Sequence, residues 1–240
     1  MRKFSSVMAL LFCSVILVNA QGGLLGSAKN AVNSLKGGKS LSSDDIVAGL
    51  KEALSQGTKK SADKLSAVDG FFKDAAVKIL LPPEAAKVEK ALRSAGLGQQ
   101  VDEAILSLNR AAEDAAKSAA PIFLSAIQHM SVQDGVGILK GADTAATSYL
   151  RKSTTVQLTA SFRPVIDTSL QKTGATKYWK TLFETYNKMP FVSKVNTDLP
   201  GYATSKALDG VFYYVAQEEK NIRQNPAAQV TDLLKKVFGK

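Results

Sequence analysis

Hydrophobic residues recur at helical spacing from residue 41 almost to the end of the chain. They repeat every three to four positions, the period that places side chains on one face of an α-helix. Ser42 or Ser43 can cap the first helix, and Gly57 marks its expected end. The same pattern predicts further helices over 83–96, 101–130, 143–152, 155–172, 175–189, 202–224 and 226–238.

The longest apolar stripe, over residues 101–130, is made of alanine in its middle. Ala112, Ala115 and Ala119 fall on the same face as the larger residues on either side of them. Pro121 is expected to kink or split this helix, because proline removes a backbone donor and its ring clashes with the preceding turn. Small side chains let another helix approach closely, so the segment is predicted to lie at the centre of a bundle.

Strand signals are confined to two short stretches, "VKILLP" at 77–82 and "FVSKV" at 191–195. Neither has the length or the hairpin turn residues of a well-defined sheet. The predicted fold is therefore all-α: a single-domain irregular helical bundle over 41–240 with at most a minor β ribbon.

Residues 1–20 have the features of a secretory signal peptide. Arg2 and Lys3 precede the apolar stretch "VMALLFCSVILV", and small residues lead to Ala20. We therefore expect cleavage between Ala20 and Gln21 and a periplasmic product. Cys13 follows a phenylalanine, which does not suit lipid attachment, so the protein is not expected to be a lipoprotein.

The chain from Gln21 onward contains no cysteine, because the single cysteine lies in the signal peptide. This excludes disulfides, thiol nucleophiles and thiolate metal sites from the mature protein. His129 is the only histidine, and the acidic residues lack the spacing of a calcium loop. No metal site and no cofactor are therefore expected.

Residues 21–40 are rich in Gly, Ser, Asn and Lys and are predicted to be a flexible lead-in. An alternative is an amphipathic helix that lies on a membrane surface. Its apolar face would consist of Leu24, Ala28, Ala31, Val32 and Leu35. Both interpretations stay open at this point.

After removal of Arg2 and Lys3 the chain has 29 basic and 21 acidic residues, a net charge of +8. This balance favours weak association with anionic surfaces such as membrane headgroups. The basic residues form no clustered groove along the sequence, so nucleic acid is not an expected partner. Past the signal peptide no apolar run reaches the length of a membrane span.

Two sets of short motifs resemble catalytic signatures and are rejected on context. "GGKS" at 37–40 lacks the first glycine of a phosphate-binding loop, since position 33 is Asn33. "SADK", "SLN" and "KTG" match the three signatures of serine penicillin-recognising enzymes in order. The third of these needs a sheet edge, whereas here it ends a predicted helix.

The stretch "VFYYVAQEEKNIRQNP" places a carboxylate on an apolar helix face. On a helical wheel Glu219 lies about 20° from Leu208, inside the stripe formed by Leu208, Val211, Phe212, Val215 and Ile222. A buried carboxylate needs a partner. Arg223, one turn away, is the local candidate, and Arg110 and Arg151 are the long-range ones.

Two interpretations of Glu219 follow from this pattern. The structural one is a buried ion pair that sets the register of the helix. The functional one is a polar pocket for a cationic or hydrogen-bonding ligand, with Glu218 on its flank.

The helix predicted over 175–189 carries Trp179, Phe183 and Tyr186 on one side. An aromatic stripe of this kind is typical of a core. The alternative is that these three residues and Phe212 line a cavity for an apolar ligand.

Four stretches resemble one known family. They are "LSSDDIVAGLKEAL", "LSLNRAAEDAAKSAAPIF", "GADTAATSYLRKST" and "ALDGVFYYVAQEEKNIRQNPAAQVTDLLKKVFG". They resemble the bacterial exported family catalogued as domain of unknown function 4197, over about residues 41–239. The resemblance implies an exported helical protein of diderm bacteria and implies no particular activity.

The sequence therefore favours an exported, periplasmic or envelope-facing helical protein with a binding or structural role. A first alternative is a carrier of an apolar or amphipathic ligand. A second is an enzyme that uses carboxylates alone, with Glu219 acting beside Asp209 or Asp143. The identity of the envelope partner or ligand and the oligomeric state stay open.

Overall fold

The computed structural model describes residues 42–188, 190–191 and 194–225, and within them the chain forms eight α-helices and one 3₁₀ turn. The helices are α1 (Ser43–Ser66), α2 (Ala86–Ser94), α3 (Gly98–Ala116), α4 (Ala119–Gln128), α5 (Val132–Lys140), α6 (Ala145–Lys172), α7 (Ala175–Tyr186) and α8 (Leu199–Gln224). The 3₁₀ turn, Pro83–Ala85, leads into α2. These residues contain no strand, which confirms the all-α prediction. The predicted signal peptide, the lead-in and the helix over 226–238 lie outside the described residues.

Helix α1 begins where the sequence predicts but does not end there. Ser42 caps it in a reciprocal capping box, in which Asp45 N donates to Ser42 Oγ at 3.1 Å and Ser42 N donates to the Asp45 carboxylate. The helix continues through Gly57 to Ser66. A Cβ at Gly57 would stand 3.3 Å from Glu218 Cβ, so this glycine allows α8 to pack closely instead of ending α1.

The helix predicted over 101–130 is split in two. The chain leaves α3 after Ala116 and restarts at Ala119, so Pro121 falls in the first turn of α4. A proline is tolerated there because backbone donors in a first turn have no intrahelical partner.

The number of helices also differs from the prediction at two places. The segments over 143–152 and 155–172 form one continuous helix, α6, which contains an exposed Pro164. Helix α5 was not predicted, although Ser131 and Asp134 form a capping box at its start.

The alanine-rich helix lies in the middle of the bundle, as predicted. Ala111, Ala112, Ala115 and Ala116 of α3 are fully buried. Helix α3 packs against α1, α6 and α8. The small side chains allow this, since three helices can approach α3 only where it carries little volume.

Helix α8 runs antiparallel to α6 along the length of the bundle. Asp198 at the start of α8 pairs with Arg163, and Glu219 near its end reaches Thr147 at the start of α6. Its 26 residues correspond to about 39 Å. We call the end of the bundle where α8 begins the Leu199 end, and the end where α8 finishes the Gln224 end.

The two predicted strand segments are held by asparagine side chains instead of by a neighbouring strand. Asn109 of α3 accepts from Ile79 N and donates to Ile79 O, both at 2.8 Å. Asn187 makes the same pair of bonds with Val195, also at 2.8 Å. Each amide supplies the donor and the acceptor that a neighbouring strand would supply to that residue.

Candidate functional site

Glu219 is buried and fully engaged. It is 5% exposed, and its carboxylate accepts from Ala146 N at 2.9 Å, from Thr147 N at 2.8 Å and from Thr147 Oγ1 at 2.8 Å. Arg223 Nη2 donates to the same carboxylate at 2.9 Å and to Ile138 O at 3.0 Å. The predicted burial of Glu219 and its pairing with Arg223 are therefore present in the structure.

Glu219 acts as the N-cap of helix α6. Thr144, the residue at the N-cap position of α6, makes no side-chain capping bond. The carboxylate of Glu219 instead accepts from the free backbone donors of the first turn, where the helix dipole also favours a negative charge. The geometry matches the structural interpretation, an ion pair that fixes α8 against α6, and leaves no open polar pocket around Glu219.

The other candidate polar residues are placed apart from Glu219. Arg110 and Arg151 are not its partners, so the long-range expectation was wrong. The pairs observed are Glu218 with Lys60 at 2.8 Å, Arg110 with Glu113 and Asp69 at 2.6 Å each, Arg151 with Asp209 at 3.6 Å, and Asp143 with Gln224 at 2.9 Å. Each of these carboxylates already has a partner, so they do not form the clustered acids of an open catalytic cleft.

A second buried carboxylate, Glu113, was missed by the sequence analysis. It is 4% exposed and accepts from Phe71 N and Phe72 N, each at 3.1 Å, while Arg110 pairs with its other oxygen. It anchors the loop between α1 and α2 to the central helix. Buried alanines at 111, 112, 115 and 116 surround it in sequence, and this run was the available signal that α3 is enclosed over more than one face.

Lys64, Asp74 and Tyr214 form a polar cluster with shifted pKa values. Tyr214 Oη donates to the Asp74 carboxylate, and Lys64 Nζ donates to Tyr214 Oη at 2.6 Å. The bond from Tyr214 lowers the pKa of Asp74, while burial and that same bond raise the pKa of Tyr214. The bond to Tyr214 also raises the pKa of Lys64. The three groups satisfy one another near the surface and hold the 67–76 loop to α8.

An apolar groove of about 590 Å³ opens at the Leu199 end, between α2, α3 and α7. Its apolar lining consists of Leu81, Ala85, Val88, Leu92, Leu97, Val101, Ala104, Leu106, Leu108, Ala175, Tyr178, Trp179, Leu182, Phe183 and Leu199. A few polar side chains border it: Glu89, Gln100, Glu103, Ser107 and Thr173. Leu97, Tyr178 and Leu182 remain substantially exposed.

Two of the four aromatic residues predicted to line one cavity meet in this groove. Trp179 and Phe183 form part of the groove wall, with ring centroids 4.3 Å apart. Tyr186 packs edge-on against Phe183 outside the groove. Phe212 packs edge-on against Phe123 in α4 and is not part of this groove; it borders a separate, smaller depression of about 220 Å³ between α6 and α8.

The described part of the chain lacks both a cluster of metal ligands and a membrane-spanning helix. It contains no group of three or more His, Cys, Asp or Glu side chains placed to hold a metal ion. Within the same residues no helix is both long and apolar enough to cross a membrane.

The model of the family described as "Protein of unknown function (DUF4197)" matches residues 40–239. The chain therefore belongs to this family, and the resemblance expected from its sequence is confirmed. No curated protein and no solved structure matches the chain.

Proposed function

We propose that this member of the DUF4197 family is an exported carrier that holds an apolar or amphipathic ligand in the groove at the Leu199 end. The observation that carries the proposal is the groove itself, a concave apolar surface of about 590 Å³. Small-molecule sites typically enclose about 300–1,000 Å³ and combine an apolar lining with a few polar groups. The groove has both properties.

The apolar residues in the groove support a ligand over a purely structural role. Tyr178 is 74% exposed, and Leu97 and Leu182 are each about 40% exposed, although all three border the same concave surface. Contiguous exposed apolar surface is unfavourable in water and commonly marks a binding site. An apolar chain in the groove would cover these side chains. At its border Gln100 can donate to a polar head, and the hydroxyl oxygens of Ser107 and Thr173, which donate to Glu103 O and Leu170 O, can accept from one.

A carboxylate-based enzyme is the less favoured function. Glu219 is closed off by Arg223 and the first turn of α6, Asp209 lies beside Arg151, and Asp143 accepts from Gln224. General acid–base catalysis needs a carboxylate within reach of a substrate. These three are separated from one another and from the groove.

Export completes the proposal and is supported by the signal-peptide features of residues 1–20. We expect the mature protein to begin at Gln21. N-terminal sequencing of the secreted product tests this directly. A product that retains Met1, or a lipid attached at Cys13, would contradict it.

Trp179 gives a direct test of the groove, because it is the only tryptophan in the chain and lies in the groove wall. A bromine-labelled stearic acid should quench its fluorescence on binding, whereas unlabelled stearic acid should compete and relieve the quenching. Quenching that does not saturate, or that unlabelled fatty acid fails to relieve, would contradict binding in the groove.

A matched pair of variants separates groove binding from binding elsewhere. Ala104→Phe places a large side chain in the groove and should abolish the saturable quenching. Ala160→Phe makes the same change on the exposed surface of α6 and should leave it intact. Native mass spectrometry of the protein purified from its own host would then report the mass of the bound ligand and the stoichiometry together.

A further inference from the structure

The loop between α7 and α8 is closed at its base by hydrogen bonds. Asn187 bonds both backbone groups of Val195, and Trp179 Nε1 donates to Asn196 O at 3.0 Å. These contacts tie the loop to the helix that forms one wall of the groove. Phe191 stands midway between Asn187 and Val195, so it occupies the tip of a loop with a fixed base.

Phe191 combines two unfavourable features. Its φ is +65°, a left-handed conformation that is a genuine outlier for a bulky residue, and its side chain is fully exposed to solvent. Asp69 also has a positive φ, but its carboxylate pairs with Arg110 and Lys73. Phe191 gains no comparable contact within the described residues. Strained residues that make no stabilising contact commonly mark functional positions.

Exposed lysines flank this tip in the sequence. Lys188 and Lys194 each lie three residues from Phe191 and are exposed, and Lys177 and Lys180 are exposed on the adjoining α7. Residues 172–194 contain five lysines and one acidic residue. Tyr178, an exposed aromatic residue, lies on the same helix. An apolar tip within a basic surface is complementary to an anionic lipid interface.

We propose that the loop tip at Phe191, with Lys188 and Lys194 beside it, docks the Leu199 end of the molecule onto anionic lipid membranes. Phe191 would enter the boundary between headgroups and acyl chains, and the two lysines would contact anionic headgroups. A single exposed aromatic residue offers far less than the roughly 800 Å² that a partner contributes to a stable protein interface. A lipid surface requires only a small apolar insertion together with positive charge.

This inference is independent of which ligand the groove binds, although the two agree in geometry. The docking tip continues from α7, the helix that contributes Trp179 and Phe183 to the groove. Docking there would bring the groove end of the protein to the surface from which an amphipathic ligand can be extracted or to which it can be delivered.

The test is flotation of the full chain from Gln21 with vesicles of phosphatidylcholine alone or of phosphatidylcholine with 30% phosphatidylglycerol. We expect binding to the anionic vesicles that weakens as salt is raised, since exposed charges are screened. Lys188→Gln with Lys194→Gln should weaken it about 25-fold, because each lysine near an anionic surface is worth about fivefold. Equal binding of wild type and this variant would overturn the proposal.

Phe191→Asn tests the tip itself without risking the fold. Asparagine tolerates a positive φ, so the variant should unfold at a urea midpoint no lower than that of the wild type. It should nevertheless bind anionic vesicles about tenfold more weakly, because the apolar insertion is lost. Val156→Asn removes a similarly exposed apolar side chain from α6 and should bind as the wild type does.

Other modes of association give different results in the same experiment. If residues 21–40 carried the membrane affinity, Phe191→Asn would float with the vesicles as the wild type does, and the proposal would be wrong. The same conclusion would follow if Phe191→Asn and Val156→Asn lost affinity equally. A tryptophan at the tip, Phe191→Trp in a Trp179→Phe background, should shift its emission to the blue on anionic vesicles and not on neutral ones.

Discussion

The two ends of the bundle differ in the kind of side chain that is unusually placed. These side chains are charged and enclosed at one end, and apolar and exposed at the other. At the Gln224 end, the carboxylate of Glu219 is buried and the side chain of Arg223 is 12% exposed, and hydrogen bonds from α6 and to α5 satisfy them. At the Leu199 end, the unusually placed side chains are apolar: Tyr178, Leu182 and Phe191 are exposed to water. The only buried side-chain polar atom without a hydrogen bond in the described residues, Thr176 Oγ1, also lies there, in α7.

This difference shows which kind of irregularity points to function in this chain. Glu219 is recognisable in the sequence as a polar residue on an apolar helix face, yet its partners make it part of the scaffold. Exposed apolar surface gives no such signal in a sequence, because an apolar residue at the surface cannot be distinguished by its type from one in the core. Here the uncovered apolar surface is the feature that the scaffold does not explain.

The largest effect is expected at the Gln224 end. Glu219→Ala should lower the free energy of unfolding by about 3–5 kcal/mol, because it leaves the largely enclosed Arg223 without its partner and removes the cap of α6. Glu219→Gln should cost less, since an amide oxygen can still accept from one backbone donor. Urea unfolding of both variants provides the measurement.

Glu218→Ala is the matched control for this prediction. Glu218 lies beside Glu219 on α8, but its partner Lys60 is largely exposed, so the loss should be no more than about 1 kcal/mol. Equal unfolding midpoints for Glu218→Ala and Glu219→Ala would contradict the conclusion that the Glu219 network is structural.

The two asparagine contacts, Asn109 with Ile79 and Asn187 with Val195, allow a buried contact to be compared with a half-buried one. Asn109→Ala should cost about 3 kcal/mol, because it leaves the buried N–H and C=O of Ile79 without partners. Asn187→Ala removes the same two bonds at the Leu199 end, where Asn187 is only half-buried and water can replace them, so about 1 kcal/mol is expected.

Urea unfolding would rank the two asparagine variants, with Trp179 emission as the signal at the groove. Since Trp179 bonds to the loop that Asn187 anchors, its emission should change in the native state of Asn187→Ala and not of Asn109→Ala. Equal losses of stability would mean that the two asparagine contacts are equally closed to water.

How far the sequence predicted these features depended on whether the signal was local. The capping box at Ser42, the buried alanines of α3 and the pairing of Glu219 with Arg223 all follow from spacings of three or four residues, which a helix brings together. The continuation of α1 through Gly57 was not predicted, because it depends on α8 packing against that glycine. The true partners of Glu219 in α6 lie more than 70 positions away, and no spacing rule identifies them.

The groove was predicted only in part for the same reason. Trp179 and Phe183 were candidates because they share one helix face, and both line the groove. Phe212 has the same chemistry and a similar position on its own helix, but it packs on Phe123 and borders a separate, smaller depression. Which aromatic residues meet a cavity is decided by how helices from distant parts of the chain cross.

A smaller effect is expected from the cluster that holds the 67–76 loop to α8. Tyr214→Phe removes the hydroxyl that donates to Asp74 but keeps the ring, over which Lys64 lies at 4.0 Å. The expected loss of stability is about 1.5 kcal/mol at neutral pH. Urea unfolding at pH 7 provides the measurement, and a loss below a few tenths would show that the cluster contributes nothing.

The pH dependence of the same variant follows from the direction of its pKa shifts. The pKa of Tyr214 is raised in the folded protein, so its contribution is present below about pH 10, its ordinary value, and is lost as pH rises through the folded value. The pKa of Asp74 is lowered, so its contribution is present above about pH 4 and is lost as pH falls through the folded value. The stability of Tyr214→Phe should therefore change less than that of the wild type at both limits.

The smallest effect, and the one that separates the two ends most directly, is expected at Phe191. If the strained and exposed phenylalanine serves the fold, Phe191→Asn should lower the free energy of unfolding. If it serves membrane docking, the variant should gain about 0.5–1 kcal/mol, because asparagine adopts the left-handed conformation with less strain. Such a gain is expected where selection for function has been traded against stability. Chemical unfolding of Phe191→Asn beside Val156→Asn, which has no left-handed backbone to relieve, distinguishes the two. A midpoint for Phe191→Asn below both the wild type and Val156→Asn would make Phe191 part of the scaffold, as Glu219 is at the other end.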